Sequence, residues 1–305
     1  MESAVRFENI SKTFGRGKKQ VHAVKNVTLD IGVGQVFGFL GPNGAGKTTT
    51  IRMMLTLLRP TQGRVLLYGK DVQREHDILK RVGATVEGAA FYPYLSGQAN
   101  LEVLARTAGH YNPQRIRALL EQVDLTERAR QRFSSYSLGM KQRLGLAAAL
   151  LHDPDMIILD EPTNGLDPSG IQEMRTFIRE LADKHGKTVV LSSHLLNEVE
   201  QICDRVAIIN KGEIIREGTV KGLLEGKAKL RIEAAPLDKA AAVLGARYAV
   251  TPNSHSMTLE AERGDVPRII RQLIAADIEV YEVVSQKQSL EEYFLAVIQE
   301  NTTHG

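Results

Sequence analysis

The sequence predicts an α/β protein with a parallel-sheet core, a small antiparallel β subdomain, a helical insertion and a small C-terminal α+β domain. Strands that are covered by helices on both faces have no polar side, so they read as continuous apolar runs. Four such runs indicate the core: residues 36–40, 156–159, 188–191 and 206–209. Alternating or β-branched runs indicate the antiparallel subdomain, at residues 5–10 and 28–31.

The helical insertion is predicted for about residues 95–151. Within it, Asn112 and Pro113 have the features of a helix cap and first turn. The apolar residues that follow share one helix face, namely Ile116, Leu119, Leu120 and Val123. This pattern predicts an amphipathic helix that packs on its neighbours.

A domain boundary is predicted near residue 221, where glycines and lysines between 221 and 229 indicate a linker. We therefore expect a first domain at 1–221 and an α+β accessory domain at 222–305. Strand and helix signals alternate in the second domain, at 229–233, 237–244, 257–260, 266–275, 280–284 and 290–298.

Composition is that of an ordinary folded protein, with 43% hydrophobic and 25% charged residues among 305. The net charge of +3 is too small to indicate a nucleic-acid partner, and we expect none. Cys203 is the only cysteine, which excludes an intrachain disulfide and a thiol-ligated zinc site and favours a reducing cytoplasm.

The N-terminal residues lack the pattern of a secretory signal, and no apolar segment reaches the roughly 18 residues of a membrane span. We therefore expect any membrane role to require a partner chain.

A phosphate-binding loop is predicted directly after the apolar run at 36–40 and before a helical stretch at 49–58. Its glycines let backbone N–H groups converge on phosphate oxygens, at the positive end of the following helix. Lys47 is expected to hold the β- and γ-phosphates of ATP, and Thr48 to offer its hydroxyl to Mg²⁺. An ordinary glycine-rich turn is the alternative, which the strand and helix context disfavours. The pattern is Gly41-Pro42-Asn43-Gly44-Ala45-Gly46-Lys47-Thr48, followed by Thr49.

Two carboxylates end the apolar run at 156–159. Asp160 is expected to support Mg²⁺, and Glu161 is the candidate general base that activates water. A solvated loop start after a strand would carry the same residue types. The phosphate-binding loop elsewhere in the chain favours the catalytic interpretation.

A serine- and glycine-containing segment lies ahead of Asp160, and Ser137 and Gly139 at the start of a helix would form a second anion cradle. A simple serine helix cap is the alternative. The segment resembles the signature motif of ATP-binding cassette (ABC) proteins: Ser135-Tyr136-Ser137-Leu138-Gly139-Met140-Lys141-Gln142-Arg143-Leu144. The resemblance implies a P-loop ABC-type nucleotide-binding domain that hydrolyses ATP, with each ATP shared between two such subunits.

Further segments resemble this family in the expected order. Asp167, in Asn164-Gly165-Leu166-Asp167, resembles the D-loop aspartate that communicates between the two ATP sites. His194 resembles the switch histidine that contacts the γ-phosphate. Phe14 occupies the position of an aromatic residue that stacks on adenine, with core packing as the alternative reading.

Two departures from the family pattern bear on mechanism. In the signature, Tyr136 and Leu138 replace the usual leucine and first glycine. Glu87 occupies the position of the family's Q-loop glutamine, where a carboxylate would still ligate Mg²⁺ or order water, unless it merely fills the loop. The residues around Glu87 resemble the branch that exports bacitracin-like peptides and lantibiotics and confers self-immunity. The segment from Ser289 to Phe294 resembles drug exporters of the ABC-2 type.

These resemblances imply a cytoplasmic ATPase on the inner face of the membrane, which forms a dimer and drives a separate permease. A soluble ABC ATPase that acts on ribosomes or DNA is the main alternative, but ribosome-acting members typically carry two cassettes, and DNA-repair members carry long coiled coils. A regulatory subunit that binds nucleotide without hydrolysing it is a third alternative. It is disfavoured because Lys47, Asp160, Glu161 and His194 are all present.

Overall fold

The computed structural model describes residues 2–86, 91–224, 228–261, 263–286 and 289–303. They form two compact units that divide between Thr219 and Val220. Among the described residues, no helix combines the length and apolar character needed to cross a membrane.

The first unit contains two sheets and six helices within its described part. Its strands are β1 (Ser3–Phe14), β2 (Val21–Gly32), β3 (Val36–Leu40), β4 (Gln62–Leu67), β5 (Lys70–Asp71), β6 (Val82–Thr85), β7 (Met156–Asp160), β8 (Thr188–Ser193), β9 (Arg205–Asn210) and β10 (Glu213–Thr219). Its helices are α1 (Lys47–Met54), α2 (Gly97–Thr107), α3 (Pro113–Gln122), α4 (Leu138–Ala149), α5 (Pro168–Asp183) and α6 (Leu196–Ile202).

The core sheet has the strand order β10-β9-β3-β8-β7-β6. All its neighbours are parallel except the β9–β10 pair. The four predicted apolar runs are β3, β7, β8 and β9, and their apolar side chains are buried. The prediction of a parallel core is therefore confirmed. Cys203 is also buried here, and burial raises the pKa of its thiol, so it stays uncharged.

The second sheet of this unit is antiparallel, with the strand order β2-β1-β4-β5. Its inner face packs on the core sheet, since Phe7 of β1 contacts Phe39 of β3 edge to face at a ring-centroid separation of 6.1 Å. This anchors the antiparallel sheet beside the strand that leads into the phosphate-binding loop.

Helices α2, α3 and α4 occupy much of residues 95–151. The side chain of Asn112 caps α3 by accepting hydrogen bonds from the backbone N–H groups of Gln114 and Arg115, and Pro113 begins the helix, as the sequence predicts. The four apolar residues of the predicted face are all buried, namely Ile116, Leu119, Leu120 and Val123.

Tyr136, the first departure in the signature segment, contacts the backbone of Arg128 and packs against Gly97. Its side chain is buried, with 4% of the residue exposed, and its hydroxyl donates a hydrogen bond to the backbone oxygen of Arg128 at 2.8 Å. Burial raises the pKa of the phenol. The ring lies against Gly97 at the start of α2, where a Cβ would come within 2.2 Å of the Tyr136 oxygen. The larger residue at 136 therefore needs a glycine at 97.

The second unit contains a four-stranded antiparallel sheet of order β12-β13-β11-β14. The order of elements β11-α8-β12-β13-α9-β14 gives the split βαβ, ferredoxin-like topology. Side chains of α8 and α9 share an apolar core with one face of the sheet. Its elements are α7 (Val220–Leu224), β11 (Ala228–Ala235), α8 (Leu237–Gly245), β12 (Val250–Pro252), β13 (Met257–Ala261), α9 (Val266–Ala275), β14 (Glu279–Gln286) and α10 (Leu290–Thr303).

Six elements of this unit correspond to the predicted segments, and two differences remain. Residues 220–224 form α7 where a linker was expected, and α7 contacts α10, a partner that the local pattern could not reveal. Strand β12 was not predicted, because its three residues include Pro252, which is tolerated only at a sheet edge.

The contact between Tyr136 and Gly97 predicts that substitutions at these two positions have non-additive effects on the free energy of unfolding. We expect Gly97→Ala to lower the free energy of unfolding by about 1–3 kcal/mol through overpacking. In a Tyr136→Leu background the same change should cost less, because the phenol that it meets is absent. Urea unfolding of both single variants and the double variant measures this coupling.

Gly245→Ala is the matched control, since a Cβ at that position meets no other part of the described chain within 4 Å, apart from its own helix. If Gly97→Ala costs the same in both backgrounds, the proposed fit between the two residues is wrong.

Candidate nucleotide-binding site

The loop between β3 and α1 has a backbone that only glycine accommodates at two positions. Gly46 has φ = 112°, and a Cβ there would lie 2.5 Å from the backbone oxygen of Ala23. At Gly41 a Cβ would lie 2.2 Å from the oxygen of Ile209. These glycines allow the loop to turn tightly into α1, which starts at Lys47. The N-terminal backbone N–H groups of α1 are thereby available to an anion.

Lys47 is the buried cation of the site, with 5% of the residue exposed. Its ammonium group donates to the backbone oxygen of Gly41 at 2.7 Å and pairs with Oε1 of Glu161 at 3.3 Å. A buried charge requires such partners, because desolvation otherwise costs several kcal/mol. The side chain is thus held over its own loop and points at the candidate base.

Asp160 ends β7 and accepts two hydrogen bonds on one carboxylate oxygen. The hydroxyl of Ser192 donates to its Oδ1 at 2.5 Å, and the hydroxyl of Thr48 donates to the same atom at 3.2 Å. The two residues expected to support Mg²⁺, Thr48 and Asp160, are therefore in contact. They offer a hydroxyl and a carboxylate, the hard oxygen ligands that Mg²⁺ prefers, so the donor set fits this ion.

Glu161 lies between two functional partners. Its Oε2 is 2.8 Å from Nδ1 of His194, and its Oε1 faces Lys47. The backbone is left-handed at this residue, with φ = 51°, and its N–H donates to the hydroxyl and the backbone oxygen of Ser192. An unusual backbone at a residue with two charged or polar contacts is typical of a functional position. This conformation turns Glu161 toward Lys47 and His194.

Ser192 is the site residue that sequence reasoning missed. It is fully buried and contacts both Asp160 and the backbone of Glu161. The available signal was a pair of serines, Ser192 and Ser193, at the end of an otherwise apolar strand. A polar group in a buried strand is costly unless it is bonded, which is the reason to expect a partner there.

Ser137 and Asp167 lie apart from this cluster. Each caps a helix: the Ser137 hydroxyl accepts from the N–H of Met140, and an Asp167 carboxylate oxygen accepts from the N–H of Gly170. Ser137, Gly139 and Asp167 line a cavity of about 770 Å³, whereas Thr48, Asp160 and Glu161 line a separate cavity of about 600 Å³. A single chain therefore presents its signature serine away from its own candidate base.

The remaining predicted site residues lie at the end of β1, in or beside the phosphate-binding loop, or outside the described residues. Phe14 ends β1 with 40% of the residue exposed, and the Lys12 ammonium lies 5.2 Å from its ring centroid, so it is not a core residue. Pro42, Asn43 and Gly44 form the exposed tip of the loop, Ala45 is buried, and Thr49 is half-buried in α1. Glu87 lies outside the described residues.

Comparisons with known proteins agree with this geometry. The ABC transporter family model matches residues 24–164. The chain is 40% identical over 297 residues, 97% of its own length and 96% of the relative's, to the uncharacterized ABC transporter ATP-binding protein YhcH of Bacillus subtilis. It is 36% identical to the bacitracin transport ATP-binding protein BcrA of Enterococcus faecalis, over 98% of this chain and 97% of that protein. It is 37% identical to the daunorubicin resistance ATP-binding protein DrrA3 of Streptomyces coeruleorubidus, over 96% of this chain and 95% of that protein.

Solved structures show the same fold. MJ0796, a bacterial ABC transporter cassette determined as a dimer, matches 71% of this chain and 98% of its own with a TM-score of 0.64 at 27% identity. A related dimeric structure of the same cassette represents a post-hydrolysis state with ADP and phosphate bound. The fold, the phosphate-binding loop with its facing carboxylates, and full-length relatives at up to 40% identity lead to one conclusion: this chain belongs to the ABC transporter family, as an ATP-binding subunit that hydrolyses ATP.

Proposed function

We propose that this chain binds ATP with Mg²⁺ at its phosphate-binding loop, pairs with a second cassette, and energises a separate membrane permease that exports a drug or peptide antibiotic. The observation that carries the proposal is the position of Glu161, which contacts Lys47 on one oxygen and His194 on the other. A carboxylate in that position is placed for general-base chemistry at a phosphate held by Lys47.

Substrate binding would rearrange these contacts. The Lys47 ammonium is paired with Glu161 and with the Gly41 oxygen, and the triphosphate of ATP is the stronger anionic partner for it. Once Lys47 turns to the phosphates, the Oε1 atom of Glu161 is free to accept a proton from water. Mg²⁺, held by Thr48 and Asp160, would supply charge neutralisation for the β- and γ-phosphates.

Hydrolysis then needs one proton acceptor and one orienting group. Water attacks the γ-phosphorus, its proton passes to Glu161, and ADP leaves with the electrons of the broken bond. His194 keeps the carboxylate oriented through the Nδ1–Oε2 contact and is also placed to contact the γ-phosphate. Ser192 holds the Asp160 carboxylate and the backbone of Glu161, since its hydroxyl donates to the first and accepts from the N–H of the second.

A second copy of the chain is the proposed partner in the dimer. Ser137 and Gly139 line a cavity different from the one that contains Glu161, so each chain would offer its signature helix to the ATP of the other. The dimeric structures of MJ0796 support this arrangement. Phe14, which is exposed beside Lys12, would stack on the adenine.

The permease would contact the loop that follows residue 90. Tyr92 and Tyr94 are exposed, by 48% and 65%, with ring centroids 5.8 Å apart. The backbone of the loop is bonded to the helical region in spite of its exposure, because the buried Asn100 side chain accepts from the Tyr92 N–H and donates to the Tyr92 oxygen. Exposed aromatic side chains on a fixed backbone are typical of protein interfaces. The chain would then lie peripherally on the inner face of the membrane.

Export of a drug or peptide antibiotic is supported by the relatives. BcrA and DrrA3, whose names refer to bacitracin transport and daunorubicin resistance, match this chain over nearly its whole length. The similarity thus includes the second unit as well as the nucleotide-binding core. A soluble ABC ATPase that acts on ribosomes or DNA remains the competing function for the experiments below.

The base assignment predicts the behaviour of Glu161→Gln. We expect the rate of phosphate release to fall by about 10²- to 10⁴-fold, because the amide cannot accept the proton of the attacking water, while ATP binding is retained. Dimers should accumulate with ATP, as seen by size-exclusion chromatography. Glu121→Gln makes the same change at an exposed position of α3 and should leave the rate unchanged. Hydrolysis by Glu161→Gln at the unmodified rate would contradict the assignment.

If Tyr92 and Tyr94 form the contact with the permease, their removal should abolish permease binding without changing ATP hydrolysis. Tyr92→Ala combined with Tyr94→Ala should keep the ATPase rate of the purified chain but lose a multi-spanning permease that co-purifies from native membranes in mild detergent. Tyr281→Ala, which removes a similarly exposed tyrosine from β14, is the control and should retain the permease. Co-purification of ribosomes or nucleic acid with the unmodified chain would instead support the soluble alternative.

The export proposal predicts a cellular phenotype. Deletion of the chain in its native host should increase sensitivity to bacitracin-like peptides or to anthracyclines such as daunorubicin, measured as minimum inhibitory concentrations. Complementation with the unmodified chain should restore resistance, and Glu161→Gln should not. Unchanged sensitivity to both compound classes would contradict the proposed substrate class without affecting the ATPase assignment.

A further inference from the structure

Two contacts join helix α4 to the loop between Glu161 and Asp167. The side chain of Gln142 donates from Nε2 to the backbone oxygen of Asn164 at 3.0 Å. The backbone N–H of Asn164 in turn donates to the oxygen of Glu161 at 3.2 Å. A short chain of hydrogen bonds thus runs from the signature helix to the candidate base within one molecule.

The orientation of the Gln142 amide is set by its partner. A backbone oxygen accepts only from a donor, so Nε2 must face Asn164 and Oε1 must point the other way. Oε1 is buried and has no hydrogen-bond partner among the described residues. The side chain contributes to the cavity lined by Thr48, Asp160 and Glu161.

The second contact involves Leu138, the other departure in the signature segment. A Cβ on Gly165 would lie 2.8 Å from a terminal methyl group of Leu138, and Gly165 has φ = 76°. One residue further along each segment, a Cβ on Gly139 would be 3.5 Å from Leu166. The first turn of α4 therefore packs against the loop, and Leu138 lines both of the cavities described above.

We infer that Gln142 is a positioning residue that couples the two ATP sites of the dimer, with Leu138 as its packing counterpart. This inference rests on the proposed function, in which Ser137 contacts the ATP held by the partner. Ser137 caps the same helix that carries Gln142, and a helix transmits a displacement along its length. Closure of Ser137 on the partner's ATP then shifts the loop at Asn164 and, through it, Glu161 of the chain's own site.

The test compares Gln142→Glu and Gln142→Lys in the full-length chain. Gln142→Glu keeps the shape but places an oxygen against the Asn164 carbonyl, whereas Gln142→Lys keeps a donor. We expect Gln142→Glu to reduce kcat by about tenfold and to lower the Hill coefficient for ATP toward 1, with the KM for ATP within about twofold. Gln142→Lys should retain most of the cooperativity, and Leu138→Ala should shift kcat in the same direction as Gln142→Glu by a smaller factor.

The controls separate coupling from folding and from the proposed function. Gln114→Glu makes the same chemical change on the exposed face of α3 and should match the unmodified chain. Gln142→Glu should still unfold in one cooperative thermal transition and bind a fluorescent ATP analogue with unchanged affinity, whereas a general loss of folding would weaken binding as well. If Gln142→Glu retains the unmodified Hill coefficient, or if the unmodified chain already shows a value of 1, the coupling is overturned.

Failure of the proposed pairing is distinguishable, because Glu161→Gln would then remain monomeric with ATP in size-exclusion chromatography. Should Gln142→Glu fail to fold, Leu138→Ala carries the same test, since it removes the packing against Gly165 without placing a charge at the contact. A Leu138→Ala variant with unchanged kcat and Hill coefficient would then overturn the inference.

Discussion

The parallel pairing of three adjacent strands is the constraint on which the site depends. In parallel strands all carboxyl ends meet at one edge of the sheet, and here β3, β8 and β7 are neighbours in that order. Leu40 pairs in register with Ser193, and Asp160 pairs with Ser192. The phosphate-binding loop, the two carboxylates and His194 therefore emerge side by side although Lys47 and His194 are 147 positions apart in the chain.

The buried charge of Lys47 explains why the Gly41 oxygen and Glu161 lie against it. An ammonium group with so little exposure must be compensated, and the Gly41 oxygen and Glu161 provide that compensation. Glu161 is thereby held beside Lys47, with His194 on its other oxygen. ATP bound by Lys47 would displace the contact between Lys47 and Glu161, so substrate binding and activation of the proposed base would be linked.

The two departures in the signature segment have structural counterparts. Tyr136 fills the space beside Gly97 and bonds to the Arg128 backbone, so a larger residue is matched by a glycine on α2. Leu138 is matched in the same way by Gly165 in the loop that follows Glu161. Both substitutions add apolar contact where the family usually has a smaller or more flexible residue. Both residues contact other elements of the first unit, while Ser137 and Gly139 remain at the start of the signature helix.

The sequence by itself determined the elements and the chemistry: the apolar runs of the core strands, the cap of α3 at Asn112, the phosphate-binding loop and the carboxylates after β7. These signals are local, since burial on both faces, backbone capping and glycine conformations act within a few residues. Only the tertiary structure decided which groups touch. The Lys47–Glu161–His194 contacts, the part played by Ser192, the separation of Ser137 from its own base and the bond from Gln142 to Asn164 all depend on strand order and helix packing. Such contacts join residues far apart in the chain, and no local propensity specifies a distance across the fold.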